Sequence, residues 1–225
     1  WVSDNATALS TYGEINTWDV SLITSMDNLF YYKQTFNDDI SNWDVSSVTK
    51  MNYMFHHASS FNQDLTNWDV SSVTSFLAMF RDAPSFNGDV SSWDVSSATT
   101  MSHMFYACGS FNQDLSNWNV SNVTIFKEMF NGAVSFTSDV SNWDVSSATD
   151  MNHMFLFCRE WNSDISGWDV SNVTDMVGMV RGAHIFNQDI SSWNVSNVQR
   201  MDRMFQDTRT FNQDISSWDV SSVTK

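Results

Sequence analysis

The sequence predicts an α/β solenoid of stacked 25-residue units, each a strand, a turn and a short helix, with a parallel strand ladder on one face. Three observations predict it. A Trp recurs at a fixed interval, Trp18, Trp43, Trp68, Trp93, Trp118, Trp143, Trp168, Trp193 and Trp218, with no insertion or deletion between copies. An acidic residue keeps the same interval through Glu14, Asp39, Asp64, Asp89, Asp114, Asp139, Asp164, Asp189 and Asp214. Within each unit the apolar spacing changes from the close pattern of a strand to the i, i+3, i+4, i+7 stripe of a helical face. Units that repeat so strictly bury their apolar faces against one another.

Residues 1–13 break the pattern and read as an N-terminal capping segment in which Ser3 opens a short helix through Thr11 and Gly13 ends it. Residues 14–225 form a single solenoid of about nine repeats. In the type unit Asp39 to Phe61, the spacing Ile40-x-x-Trp43-x-Val45-x-x-Val48 reproduces the opening of a leucine-rich repeat, with Val48 where that class usually carries Asn. It predicts a strand around Trp43 to Val45 with Trp and Val inward and Asp44 outward. Met51, Met54, Phe55 and Ala58 then predict a helix of about two turns, with Thr49 as its N-cap. Phe61 plugs the core, and Asn62 and Asp64 suit a turn. A leucine-rich-repeat-like architecture follows; a three-sided β-helix is the alternative, and the helical spacing counts against it. Lys225 aligns with Lys50 in mid-unit, leaving Trp218, Val220 and Val223 on an uncapped edge. The native chain is therefore expected to continue, and the fragment to self-associate through this end.

Hydrophobic residues make up 42% of the chain and aromatics 15%, enough for a core despite a net charge of −16. That charge has an ordered origin. The nine acids of the Asp39 column and seven that follow the Trp make sixteen, and the other ten acids match the ten Lys and Arg. No Lys or Arg lies in the segment equivalent to Asp39 to Ser47, which argues against nucleic acid and anionic membranes as partners. No apolar run is long enough for a membrane span. Cys108 and Cys158 share a small-residue column with Ala58 and Ala83, two units apart, and are expected to be free and buried.

The candidate ligand face is the column after the Trp, Asp19, Asp44, Asp69, Asp94, Asn119, Asp144, Asp169, Asn194 and Asp219, beside the serines Ser46, Ser71 and Ser96. Seven neighbouring carboxylates repel, so they must be hydrogen-bonded or bridged by cations such as Ca²⁺. Asn at two of the positions favours the hydrogen-bonded turn, and no cofactor is expected. The Asp39 column reads as buried-turn carboxylates accepting backbone N–H groups, and the Trp column as core. Leu156, Phe157 and Trp161 are a candidate apolar contact patch. The sequons at Asn5, Asn119, Asn122, Asn172 and Asn194 are candidate glycosylation sites. Of five histidines, none lies in a short-spaced cluster with Cys, so all are expected in solvent and no metal is expected. The departures from the repeat are scattered, which argues against an enzyme.

The unit Phe-Asn-Gln-Asp-Ile-Ser-x-Trp-Asp-Val-Ser-x-Val-Thr-x-Met-x-x-Met-Phe resembles the BspA-like, mycoplasma-lipoprotein-type surface repeat family over residues 14–225, and Trp1 to Gly13 resembles the lead-in of its microalgal members. The resemblance implies a leucine-rich-repeat-like fold, a cell-surface or extracellular setting and a role in adhesion or recognition. The chain is thus expected to be a non-enzymatic recognition module presenting its acidic and Ser face to a protein or glycan. The alternative is a structural segment of a larger extracellular assembly built by repeat stacking.

Overall fold

The structure, a computed structural model, describes residues 4–225. It overturns the expected α/β solenoid. Among the described residues there is one α-helix, α1 (Asn5–Tyr12), and one 3₁₀ turn (Ile15–Thr17), with no strand. Each repeat is instead a coil of consecutive tight turns, stacked on the next coil 25 residues on.

The first half of the unit shows why no strand forms. Trp43 N–H donates to the Ile40 carbonyl and Val48 N–H to the Val45 carbonyl, closing two i to i+3 turns around the single residue Asp44. The apolar side chains occupy the first and fourth positions of each turn and point inward. The chain bends too often for pairing to extend. What remains of the ladder is a row of isolated parallel bridges, Ser25 to Lys50, Lys50 to Ser75 and onward to Asp175 with Arg200.

The second half explains the missing helix. Met51, Met54, Phe55 and Ala58 have helical spacing, but the same spacing describes two successive turns, 51–54 and 55–58, each with apolar first and fourth residues. Met54 N–H bonds to the Met51 carbonyl and Ala58 N–H to that of Phe55. The third residues, Tyr53 and His57, have φ of 56° and 57°, as a type II turn requires and a right-handed helix forbids. Their N–H groups, with those of Met51 and Phe55, donate across to Leu77, Arg81, Ser75 and Met79 on the following coil. Hydrogen bonds that a helix would close within itself therefore tie one repeat to its neighbour. Thr49 is no N-cap: its N–H (2.9 Å) and Oγ1 (3.1 Å) both donate to the Thr24 carbonyl, beginning a threonine ladder through Thr74, Thr99, Thr124, Thr149 and Thr174.

The left-handed positions recur in every coil, and most carry ordinary side chains. One column holds Tyr32, His57, Asp82, Ala107, Phe157 and Asp207 beside Gly132 and Gly182. A left-handed φ costs an L residue about 1–2 kcal/mol. Ala107 (φ 54°) is partly exposed and fills little space. Ala107→Gly should therefore stabilise the fold by about 0.5–1 kcal/mol after the entropy glycine adds to the unfolded chain. A lower melting temperature for this variant would show that the turn does not impose the φ.

The core runs along the stack as aromatic columns. Phe30, Phe55, Phe80, Phe105, Phe130 and Phe155 lie face to face at 5.4–5.7 Å between ring centroids. Phe36, Phe61, Phe86, Phe111 and Phe136 form a second column at 5.8–6.2 Å. The Trp column is buried from Trp43 to Trp218, with Trp18 partly buried. Within this column every indole N–H from Trp43 to Trp218 donates to a carbonyl of the preceding coil, as Trp68 Nε1 does to Ile40 at 3.1 Å. Cys108 and Cys158 are free and buried, as expected, and burial pushes both thiols up. At the N-terminus α1 is capped by Asp4, whose carboxylate accepts from Thr7 N–H, and Gly13 (φ 72°) ends it. Ser3, the expected cap, lies outside the described residues.

Candidate functional site

The two acidic columns are one device used twice. Asp39-Ile40-Ser41-Asn42-Trp43 and Asp44-Val45-Ser46-Ser47-Val48 share a five-residue plan: an Asx residue, an inward apolar residue, a Ser, a free position and a second inward apolar residue. In each, the Asp Oδ1 accepts the N–H of the Ser two residues on, at 2.9 Å for Asp39 and 3.1 Å for Asp44. The side chain thereby initiates the turn that follows it. Ser46 Oγ adds a second donor to Asp44 at 2.6 Å, and Asp19 and Asp69 are held the same way by Ser21 and Ser71.

All nine Asx residues of the column from Asp19 to Asp219 are exposed, so the expected ligand face is open along the stack. Asn119 and Asn194 reproduce the arrangement, each Oδ1 accepting from the Ser N–H at 3.2 Å and from its Oγ at 2.8 Å. The local hydrogen bond, available to Asp and Asn alike, therefore accounts for the column. Electrostatics agree. The Ser46 hydroxyl and then its N–H hold the Asp44 carboxyl below its ordinary value, while the opposing influence of Asp19 is the smallest of the causes. Asp94, Asp144, Asp169 and Asp219 are lowered by their serines in the same way. Repulsion along the row is thus secondary to the turn hydrogen bonds.

The Asp39 column differs from expectation in one respect. From Asp39 to Asp214 its residues accept backbone N–H groups, but all are exposed or half-buried, because they sit at the outer corner of the coil. Beside them runs a ladder absent from the sequence reading. Asn62 N–H donates to Asn37 Oδ1 at 2.8 Å, Asn87 to Asn62 at 2.7 Å and Asn112 to Asn87 at 2.9 Å. Gln63 and Gln113 reinforce it by donating through Nε2 to the Asn37 and Asn87 carbonyls. The recurrence of Phe-Asn-Gln in the sequence is its signal.

The apolar patch does not form. Trp161 is fully buried in the second Phe column, stacked 3.7 Å from Phe155, and Leu156 is 8% exposed. Only Phe157 surfaces, with the Arg181 guanidinium over its ring. Among the sequons, Asn5 opens α1 in solvent, whereas Asn122 and Asn172 donate through Nδ2, the atom a glycan would take, to the Ser96 and Ser146 carbonyls at 2.8 Å. None of the five histidines is fully exposed, contrary to expectation, because the turn-built segment folds these columns against neighbouring coils. His56 is buried, and burial, followed by the charges of His57 and Arg81, lowers its imidazole to about 4. Among the described residues no helix is long and apolar enough to cross a membrane.

Residues 2–108, 89–184 and 138–225 each match a family described as mycoplasma protein of unknown function, DUF285. The three matches span nearly the whole chain, so the repeat character and the mycoplasma-type relationship both stand, at a coarser level than the BspA-like resemblance. A comparison with curated proteins gives no match.

Proposed function

We propose, for a chain that belongs to the DUF285 mycoplasma protein family, a role as a non-enzymatic extracellular or cell-surface recognition and adhesion protein of BspA-like type. The partner is a protein or a glycan, met by the row of Asx and Ser side chains. The observation that carries this reading is the exposure of all nine Asx residues in register, each with one oxygen already engaged by its serine. Side chains held this way lose little freedom on binding, and a periodic row engages a repetitive partner at several coils at once, multiplying weak contacts. The absence of Lys and Arg from the segment directs the face toward neutral or cationic ligands.

The test is binding of the purified chain to a glycan array and to immobilised extracellular proteins, compared with the triple variant Asp69→Asn, Asp94→Asn, Asp144→Asn. Asn keeps the turn hydrogen bond, as Asn119 does, so the fold should persist while the charge is removed. Binding by the parent at least tenfold tighter than by the variant is expected. Equal binding by the two would remove the acidic row from recognition.

A further inference from the structure

The geometry points to a divalent transition-metal site, suited to Zn²⁺, formed by His56, His57 and Asp82 across two successive coils. The ligand atoms of these three residues all lie within 4.8 Å of one another. Both His56 Nε2 and His57 Nε2 stand 3.5 Å from Asp82 Oδ2. That separation is long for a hydrogen bond. It matches the edge of a tetrahedral coordination shell, in which ligand atoms about 2.0–2.1 Å from the ion stand about 3.3–3.4 Å apart.

A second observation is the burial of His56. His56 is 8% exposed, and neither of its ring nitrogens makes a hydrogen bond. A buried imidazole without a partner is uncommon in a folded protein, and an ion bound at Nε2 supplies one. The backbone holds the trio in place: His57 N–H donates to the Arg81 carbonyl at 2.9 Å, bringing the residue before Asp82 against the histidine pair. The two imidazoles are stacked, with ring centroids 4.4 Å apart and planes at 19°, and both Nε2 atoms face the same Asp82 oxygen; a shared ion requires the two rings to splay so that both lone pairs reach it. Arg81 Nε lies 3.2 Å from the same Asp82 oxygen, and its guanidinium rests on the Tyr106 ring. Metal binding must release that contact and leave Arg81 on the tyrosine. Two nitrogens and one oxygen leave a fourth position for water, and a net charge of −16 raises the local concentration of cations. No other repeat reproduces the trio, since His57 is the one histidine in its column of the repeat.

The test uses Zn²⁺ titrated calorimetrically into the whole chain at pH 7.5, with His57→Gly and Asp82→Asn as variants and His184→Ala as control. His57 and Asp82 have φ of 57° and 55°, where Gly and Asn are at ease, so both substitutions favour the existing backbone. One equivalent of Zn²⁺ is expected, with affinity reduced at least tenfold in each variant and unchanged in the control. Absence of saturable binding by the parent, or equal affinity in His57→Gly, would overturn the site. Co²⁺ added to the unaltered chain gives a readout independent of any variant: intense visible bands of a four-coordinate ion support the site, and the pale spectrum of a six-coordinate ion refutes it.

Discussion

Trp68→Ala should destabilise the chain by about 3–5 kcal/mol, the range for truncating a buried aromatic. The indole is 3% exposed, packs 6.3 Å from the Phe55 ring and donates Nε1–H to the Ile40 carbonyl at 3.1 Å. Truncation opens a cavity between two coils and leaves that carbonyl without its donor. Trp68→Phe separates the two effects, since it fills most of the volume and loses only the hydrogen bond, at a cost of about 1–3 kcal/mol. Urea unfolding followed by fluorescence and circular dichroism measures both. A loss under about 1 kcal/mol for the alanine variant would contradict a core role for the Trp column.

Phe80→Ala is the second large effect, also about 3–5 kcal/mol. Phe80 is fully buried, and its ring lies between those of Phe55 at 5.4 Å and Phe105 at 5.7 Å while stacking on Phe86 at 3.8 Å. Removing it interrupts the first column and takes a stacking partner from Phe86 in the second. The chain itself suggests a milder replacement: Val180 occupies the equivalent place and is 1% exposed. Phe80→Val should therefore cost less than Phe80→Ala, and denaturant midpoints for the pair decide it. Equal losses would mean that the neighbouring rings do not relax around a smaller residue.

Neither effect depends on helices or strands, and here the sequence and the structure part. The period, the inward Trp and Phe columns, the buried free cysteines and the outward Asx row follow from residue identity and spacing, because burial of apolar groups needs only the right side chains at the right interval. The preference of Asn119 and Asn194 for the same place as Asp likewise announced a hydrogen-bonded turn. Backbone conformation was not legible in this way. Apolar residues at i, i+3, i+4 and i+7 mark a helical face, yet Met51, Met54, Phe55 and Ala58 show that they equally mark the corners of two consecutive turns. Glycine or Asn at Tyr53 and His57 would have distinguished the two, but those left-handed positions carry ordinary side chains. What holds them there is the next coil, whose Leu77 and Arg81 carbonyls receive the N–H groups that a helix would have kept. The meeting of His56, His57 and Asp82 has the same origin, since residues 25 positions apart become neighbours only once the coils are stacked. The sequence by itself determined the repeat and which side chains face inward. Tertiary stacking decided that the second half is left-handed turns and not a helix, because the hydrogen bonds that fix Tyr53 and His57 run to the next repeat and no single repeat contains both donor and acceptor.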